Sequence, residues 1–131
     1  MKIAIALDET LGQGFLANAS ACIASGLFHN EQDLIGTEID AQHFTYIPIT
    51  KIPILIVKKN NRDWKDLLNR AKKNKLKYMV FTREGQSTIS YEEYIQRVKG
   101  KSIEEVTIIG IGVLGEDKLV QKFCGDLPLL R

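Results

Sequence analysis

The stretch "VTIIGIGVLGEDKLV", residues 106–120, decides the fold. Its glycines at 110, 112 and 115 have the G-x-G-x-x-G spacing of a dinucleotide-binding turn, and an amphipathic segment follows. That reading needs a βαβ unit of about 30 residues, with an acid roughly 20 positions further on to take a ribose hydroxyl. Only 16 residues follow Gly115, room for one helix and a tail. Gly110 and Gly112 also fall inside the apolar run, where close backbone packing is the simpler use of a glycine. The stretch therefore predicts a buried strand over residues 106–113 and a helix over 116–123, stopped by Gly125. It does not predict a nucleotide site.

Working outward, three more apolar runs read as strands: residues 3–7, 52–57 ("IPILIV") and 78–81. They are continuous and not alternating, as strands covered on both faces should be. Helical patterns lie between them. Residues 13–28 are mostly small, which predicts a helix packed close to the sheet and largely buried. Asn61 is the expected N-cap of a helix reaching Lys73, with Trp64, Leu67, Leu68 and Ala71 on its apolar face. Ser90 with Glu93 opens a helix over 91–98 as a capping box. Residues 29–50 show no period. A segment of that length in a small domain is commonly a lid or binding loop, and it holds both histidines.

The chain has 131 residues, 44 % hydrophobic and 26 % charged, the balance of a single soluble globular domain. No apolar run nears the roughly 18 residues of a membrane span. The first apolar run is too short for a signal peptide, so a cytoplasmic protein is expected. Cys22 and Cys124 read as free thiols, and neither has metal-site spacing with His29 or His43. No metal and no cofactor is expected. The net charge of +2 hides a basic block: residues 58–77 carry nine Lys or Arg against two acids. A helix face with Arg62, Lys65, Lys72 and Lys73 could meet RNA phosphates. The pattern favours a solvated face, because no stacking aromatic accompanies it.

Two segments carry a resemblance. "TIIGIGVLGEDKLVQKFCGDLPLL" resembles the terminal strand, turn and helix of type 2 peptidyl-tRNA hydrolases, and "LGQGFLANASACIASG" resembles the first helix of that family. The chain is more similar still to the bacterial "domain of unknown function 2000" family, grouped with those hydrolases by fold. The shared features are Ala17-Asn18-Ala19, Gly36 with Asp40, "KIPILIVKK", "STISYEEYIQRV" and the Gly-Asp-Leu-Pro-Leu-Leu-Arg ending. The resemblance implies a three-layer α/β/α domain with a four-stranded mixed sheet, and a homodimer as a further expectation. It implies no activity. Where the hydrolases place two lysines this chain has Gln13 and Phe15, and Ala19 replaces a glutamine. Near their acidic loop stand Thr82, Arg83 and Glu84.

The expected function is therefore binding of a small polar or anionic ligand beside the start of the first helix, where amides lack partners. The candidate residues are Asp8, Gly12, Gly14 and Asn18, then Asp40 and His43 from the long loop, and Gln86, Thr88 and Tyr91. Asn18 stands out, since an amide in a small, apolar helix needs a partner. RNA binding through residues 62–73, and a hydrolase with a rebuilt site, are the alternatives.

Overall fold

A computed structural model describes residues 1–131. The four apolar runs form one sheet in the order β4-β1-β6-β5, from β1 (Lys2–Leu7), β4 (Ile54–Lys58), β5 (Lys77–Thr82) and β6 (Ile108–Gly115). β1 is parallel to β4 and antiparallel to β6, and β5 is antiparallel to β6, so the sheet is mixed. The strand of the decisive stretch thus lies at the centre. Alternate side chains of β1 feed two cores. Ile3, Ile5 and Leu7 meet Ala19, Ile23 and Leu27 of α1 (Gln13–Leu27) on one face. Ala4 and Ala6 meet α2 (Trp64–Lys73) and α5 (Asp117–Cys124) on the other, through Leu67, Ala71, Val120 and Phe123. The result is three layers, α/β/α.

The glycines of β6 explain how close α1 sits. A Cβ on Gly112 would overlap Ile23 Cγ2 and stand 3.0 Å from Leu27 Cδ1. One on Gly110 would lie 2.8 Å from Ile23 Cδ1 and 2.9 Å from Leu7 Cδ2. They are packing glycines. Between them and the strand start the ladder slips: Phe81 faces Gly110 but Thr82 faces Ile108, so Ile109 bulges and adds its side chain to the α1 core.

Several boundaries differ from the sequence reading. The 13–28 helix is not largely buried. Only the stripe Ala19, Ile23, Leu27 is inaccessible, while Ala17, Ala21 and Ser25 are exposed. Small residues set the distance to the sheet, but helical period still leaves one face to water. α2 is capped by Asp63, which accepts from Lys65 N at 3.2 Å, and not by Asn61. Asn61 belongs instead to the turn that precedes the helix, in which Asn60 adopts φ 60° and Arg62 N donates to Lys59 O (3.3 Å). β4 begins two residues later than expected, at Ile54. β6 begins at Ile108, because Thr107 turns its amide to the Glu84 carboxylate (2.6 Å) and its carbonyl to Arg83 N (2.8 Å). α4 (Tyr91–Val98) is capped by Ser90, as its spacing predicts. A short helix, α3 (Arg83–Gln86), has no counterpart in the sequence reading.

The 29–50 segment holds a single 3-10 turn and a small hairpin of β2 (Ile39–Asp40) and β3 (Thr45–Tyr46). One sheet edge is closed by residues 128–130: Lys58 N donates to Pro128 O (2.8 Å) and Leu130 N to Ile56 O (2.9 Å). The other edge, β5, carries no further strand. No helix is long and apolar enough to cross a membrane.

Candidate functional site

The site grows from the turn between β1 and α1. Asp8 N donates to the carbonyl of the bulged Ile109 (3.0 Å), anchoring the turn to the sheet. The Asp8 carboxylate then accepts from Thr10 N (3.1 Å) and Thr10 Oγ1 (2.6 Å), a local turn that leads the chain into α1. The helix opens on Gly12, extended at φ −63° and ψ 154°, with no side chain to cap it. The amides of Gln13, Gly14 and Phe15 consequently have no acceptor, and the first turn carries no acid. α2, α3 and α4 differ: Asp63, Thr82 and Ser90 each cap with a side-chain oxygen. The positive end of the longest helix stays uncompensated.

Facing it is α3, which leaves β5 directly through Thr82, whose Oγ1 accepts from Gly85 N. Gly85 lets Tyr94 of α4 pack against α3, as a Cβ there would stand 2.8 Å from its ring. Gln86 reaches across to α1. Its Nε2 donates to Phe15 O and to Asn18 Oδ1, both at 3.0 Å. Asn18 therefore has its partner, and Gln86 bars the groove between α1 and α3.

On one side of this bar lies a cavity of about 350 Å3, lined by Thr10, Leu11, Gly12, Phe15, Arg83, Gln86 and Ser87. Arg83 is exposed there and makes no ion pair; its neighbour Glu84 is turned away to Thr107. On the other side a cleft of about 430 Å3 runs between α1 and α4, with Cys22, Met79, Phe81, Thr88, Tyr91 and Tyr94 in its walls. Burial, with Tyr91 adding to it, pushes the Tyr94 phenol above its ordinary value.

Of the residues named from sequence, Gly12, Gly14, Asn18 and Gln86 come together at the start of α1, with Asp8 shaping the turn. Thr88 and Tyr91 line the second cleft. Asp40 and His43 do not join either. They lie exposed on the β2–β3 hairpin, where Asp40 Oδ1 accepts from Thr45 Oγ1 at 3.5 Å. Arg83, which the sequence places near the hydrolases' acidic loop but not among the ligand-binding candidates, joins them in the cavity; its signal is a cation immediately after a strand. No three His, Cys, Asp or Glu side chains gather as a metal would need.

The basic helix is partly neutralised. Asp126 pairs with Arg70 (2.7 Å) and Arg62 (2.9 Å), and Arg70 also pairs with Asp66 at 3.1 Å. Lys59 Nζ sits 5.6 Å from the centre of the Trp64 ring, whose other side packs on the core.

No curated protein matches the chain by sequence. Among solved structures it is similar to a protein of unknown function, Atu0240, from Agrobacterium tumefaciens strain C58. The TM-score is 0.88 at 20 % identity, covering 99 % of this chain and 97 % of that one. A likeness at that identity shows a shared fold. The model of one family, described as protein of unknown function DUF2000, matches residues 1–131, so every element that builds the groove lies within it. The chain belongs to the DUF2000 family.

Proposed function

We propose that the protein is a binding module for a small anionic ligand, held in the cavity between the start of α1 and Arg83. One observation carries this reading: an uncapped helix N-terminus and an unpaired guanidinium line the same cavity. Free amides and the helix dipole favour negative charge, and a guanidinium matches a carboxylate or phosphate fork. Gly12 and Gly14 keep the amides unobstructed. Asn18 and Gln86 fix the far wall, and Asp8 holds the turn.

Binding is favoured over water activation because the positions given to lysine in the peptidyl-tRNA hydrolases hold Gln13 and Phe15, which supply no ammonium. It is favoured over RNA because Arg62 and Arg70 are engaged by Asp126.

The test is thermal denaturation of the full chain with inorganic phosphate and a panel of small carboxylates. A saturable rise in Tm is expected for at least one of them. Arg83→Ala should weaken it about tenfold or more, the cost of one charge-assisted hydrogen bond. No shift from any anion, or an unchanged shift in Arg83→Ala, refutes the reading.

A further inference from the structure

We propose that the hairpin arm of residues 38–49 docks into the α1–α4 cleft of a second copy of this chain, reciprocally, to build a two-fold dimer. The proposal is independent of the anion site, which lies on the opposite side of Gln86.

The arm is a surface without a cover. Ile39, Phe44, Tyr46, Ile47 and Ile49 are between 54 % and 76 % exposed within eleven residues. Phe44 and Tyr46 already stack edge to face, 5.0 Å apart. The arm's ladder is short: Ile39 pairs with Tyr46 and Asp40 with Thr45, with Gly36 N donating to Ile49 O (2.8 Å) at the base. A two-stranded hairpin this short is barely stable in water by itself.

The cleft is the complementary surface. Ile89 at its rim is 99 % exposed, Tyr91 is 71 % exposed, and Ile95 continues the face one turn along α4. It flanks β5, the open edge of the sheet, whereas the β4 edge is closed by residues 128–130.

Charge and area both point to a second copy. The arm, residues 38–49, carries two acids, Glu38 and Asp40, and no Lys or Arg. Just beyond α4, Lys99 and Lys101 form no ion pair, against Glu92, the one acid of α4 without an ion pair. At about 200 Å2 for a fully exposed side chain of this size, the arm offers roughly 650 Å2 and the cleft rim roughly 400 Å2. Reciprocal docking buries both on both copies, about 2,100 Å2 in all, above the roughly 1,200–2,000 Å2 of a stable interface. Arm on arm alone would leave the cleft rim wet.

Sedimentation velocity on the full chain tests this. A dimer is expected, twice the 14.8 kDa of one chain. Ile47→Glu with Ile49→Glu, and separately Ile89→Glu with Tyr91→Glu, should each leave a monomer with an unchanged circular dichroism spectrum. Each pair should weaken association by roughly 100-fold or more. A wild-type monomer at high micromolar concentration overturns the proposal. So does a dimer that survives the Ile89 and Tyr91 changes, which would mean arm-to-arm pairing.

Discussion

Gly112→Ala tests the packing that sets the whole α1 face. The added Cβ would overlap Ile23 Cγ2, a branch fixed to Cβ of a residue with one strongly preferred rotamer in a helix. Ile23 is fully buried and cannot swing into water. Relief requires α1 to lift from β6, and overpacking of this kind costs about 1–3 kcal/mol. The alanine also restricts the unfolded chain, which offsets about 0.4–1 kcal/mol. The net loss should be about 1.3 kcal/mol, read as a fall in Tm of roughly 4–8 °C for a domain of this size. Ile23→Ala alone should cost about 2–5 kcal/mol through the cavity it leaves. In the double variant the new methyl occupies part of that cavity, so the two losses should fall short of their sum by about 1–2 kcal/mol. Gly14→Ala is the control, since nothing lies within 4 Å of its Cβ position. It should stabilise by about 0.5 kcal/mol, from helix propensity alone. Urea denaturation of all four variants decides the matter. Gly112→Ala within about 0.5 kcal/mol of wild type, or losses that simply add, would refute the claim that these glycines set the helix-to-sheet distance.

Two further outcomes are expected. Asp63→Ala should lose about 1 kcal/mol in urea denaturation while Asn61→Ala loses almost nothing, because Asp63 caps α2. Hydrogen bonding from Arg70 holds the Asp126 carboxyl below its usual range. A group whose pKa is lowered by folding stabilises above its unfolded value, near 4, and that contribution fades as pH falls through the folded one. Asp126→Asn should therefore cost about 1 kcal/mol at neutral pH, discounted for solvent around the partly exposed pair. The difference from wild type should vanish in acid; a constant gap across the titration would contradict the pairing.

Which parts of this structure were readable in advance follows from how many residues each signal spans. The four strands and the four longer helices, α1's burial pattern apart, came through because runs of four or more apolar residues, or two turns of helical period, repeat the same message. Asn61 misled because it is one residue among several cap-forming types; the φ of Asn60 moved the helix start two positions on. α3 was invisible, being four residues long with a glycine at its third position and no apolar stripe. The position of Gly12 and Asn18 at the start of α1 is legible from the helix start signal. That Gln86 bonds Asn18 depends on β5 delivering α3 to α1, a relation of topology that no local pattern encodes. The same limit hides from the sequence that Asp40 and His43 stand on a hairpin and line neither the cavity nor the cleft.

The central position of β6 orders the making of this molecule in time. Both neighbours of that strand, β1 and β5, are synthesised before it, and neither bonds the other. Until residues 108–115 leave the ribosome, β1 has only β4 beside it and β5 has no ladder at all. α1 meanwhile lacks the glycine floor on which Ile23 rests. The domain cannot close progressively from its first residue; it must wait, largely open, for the strand that arrives last.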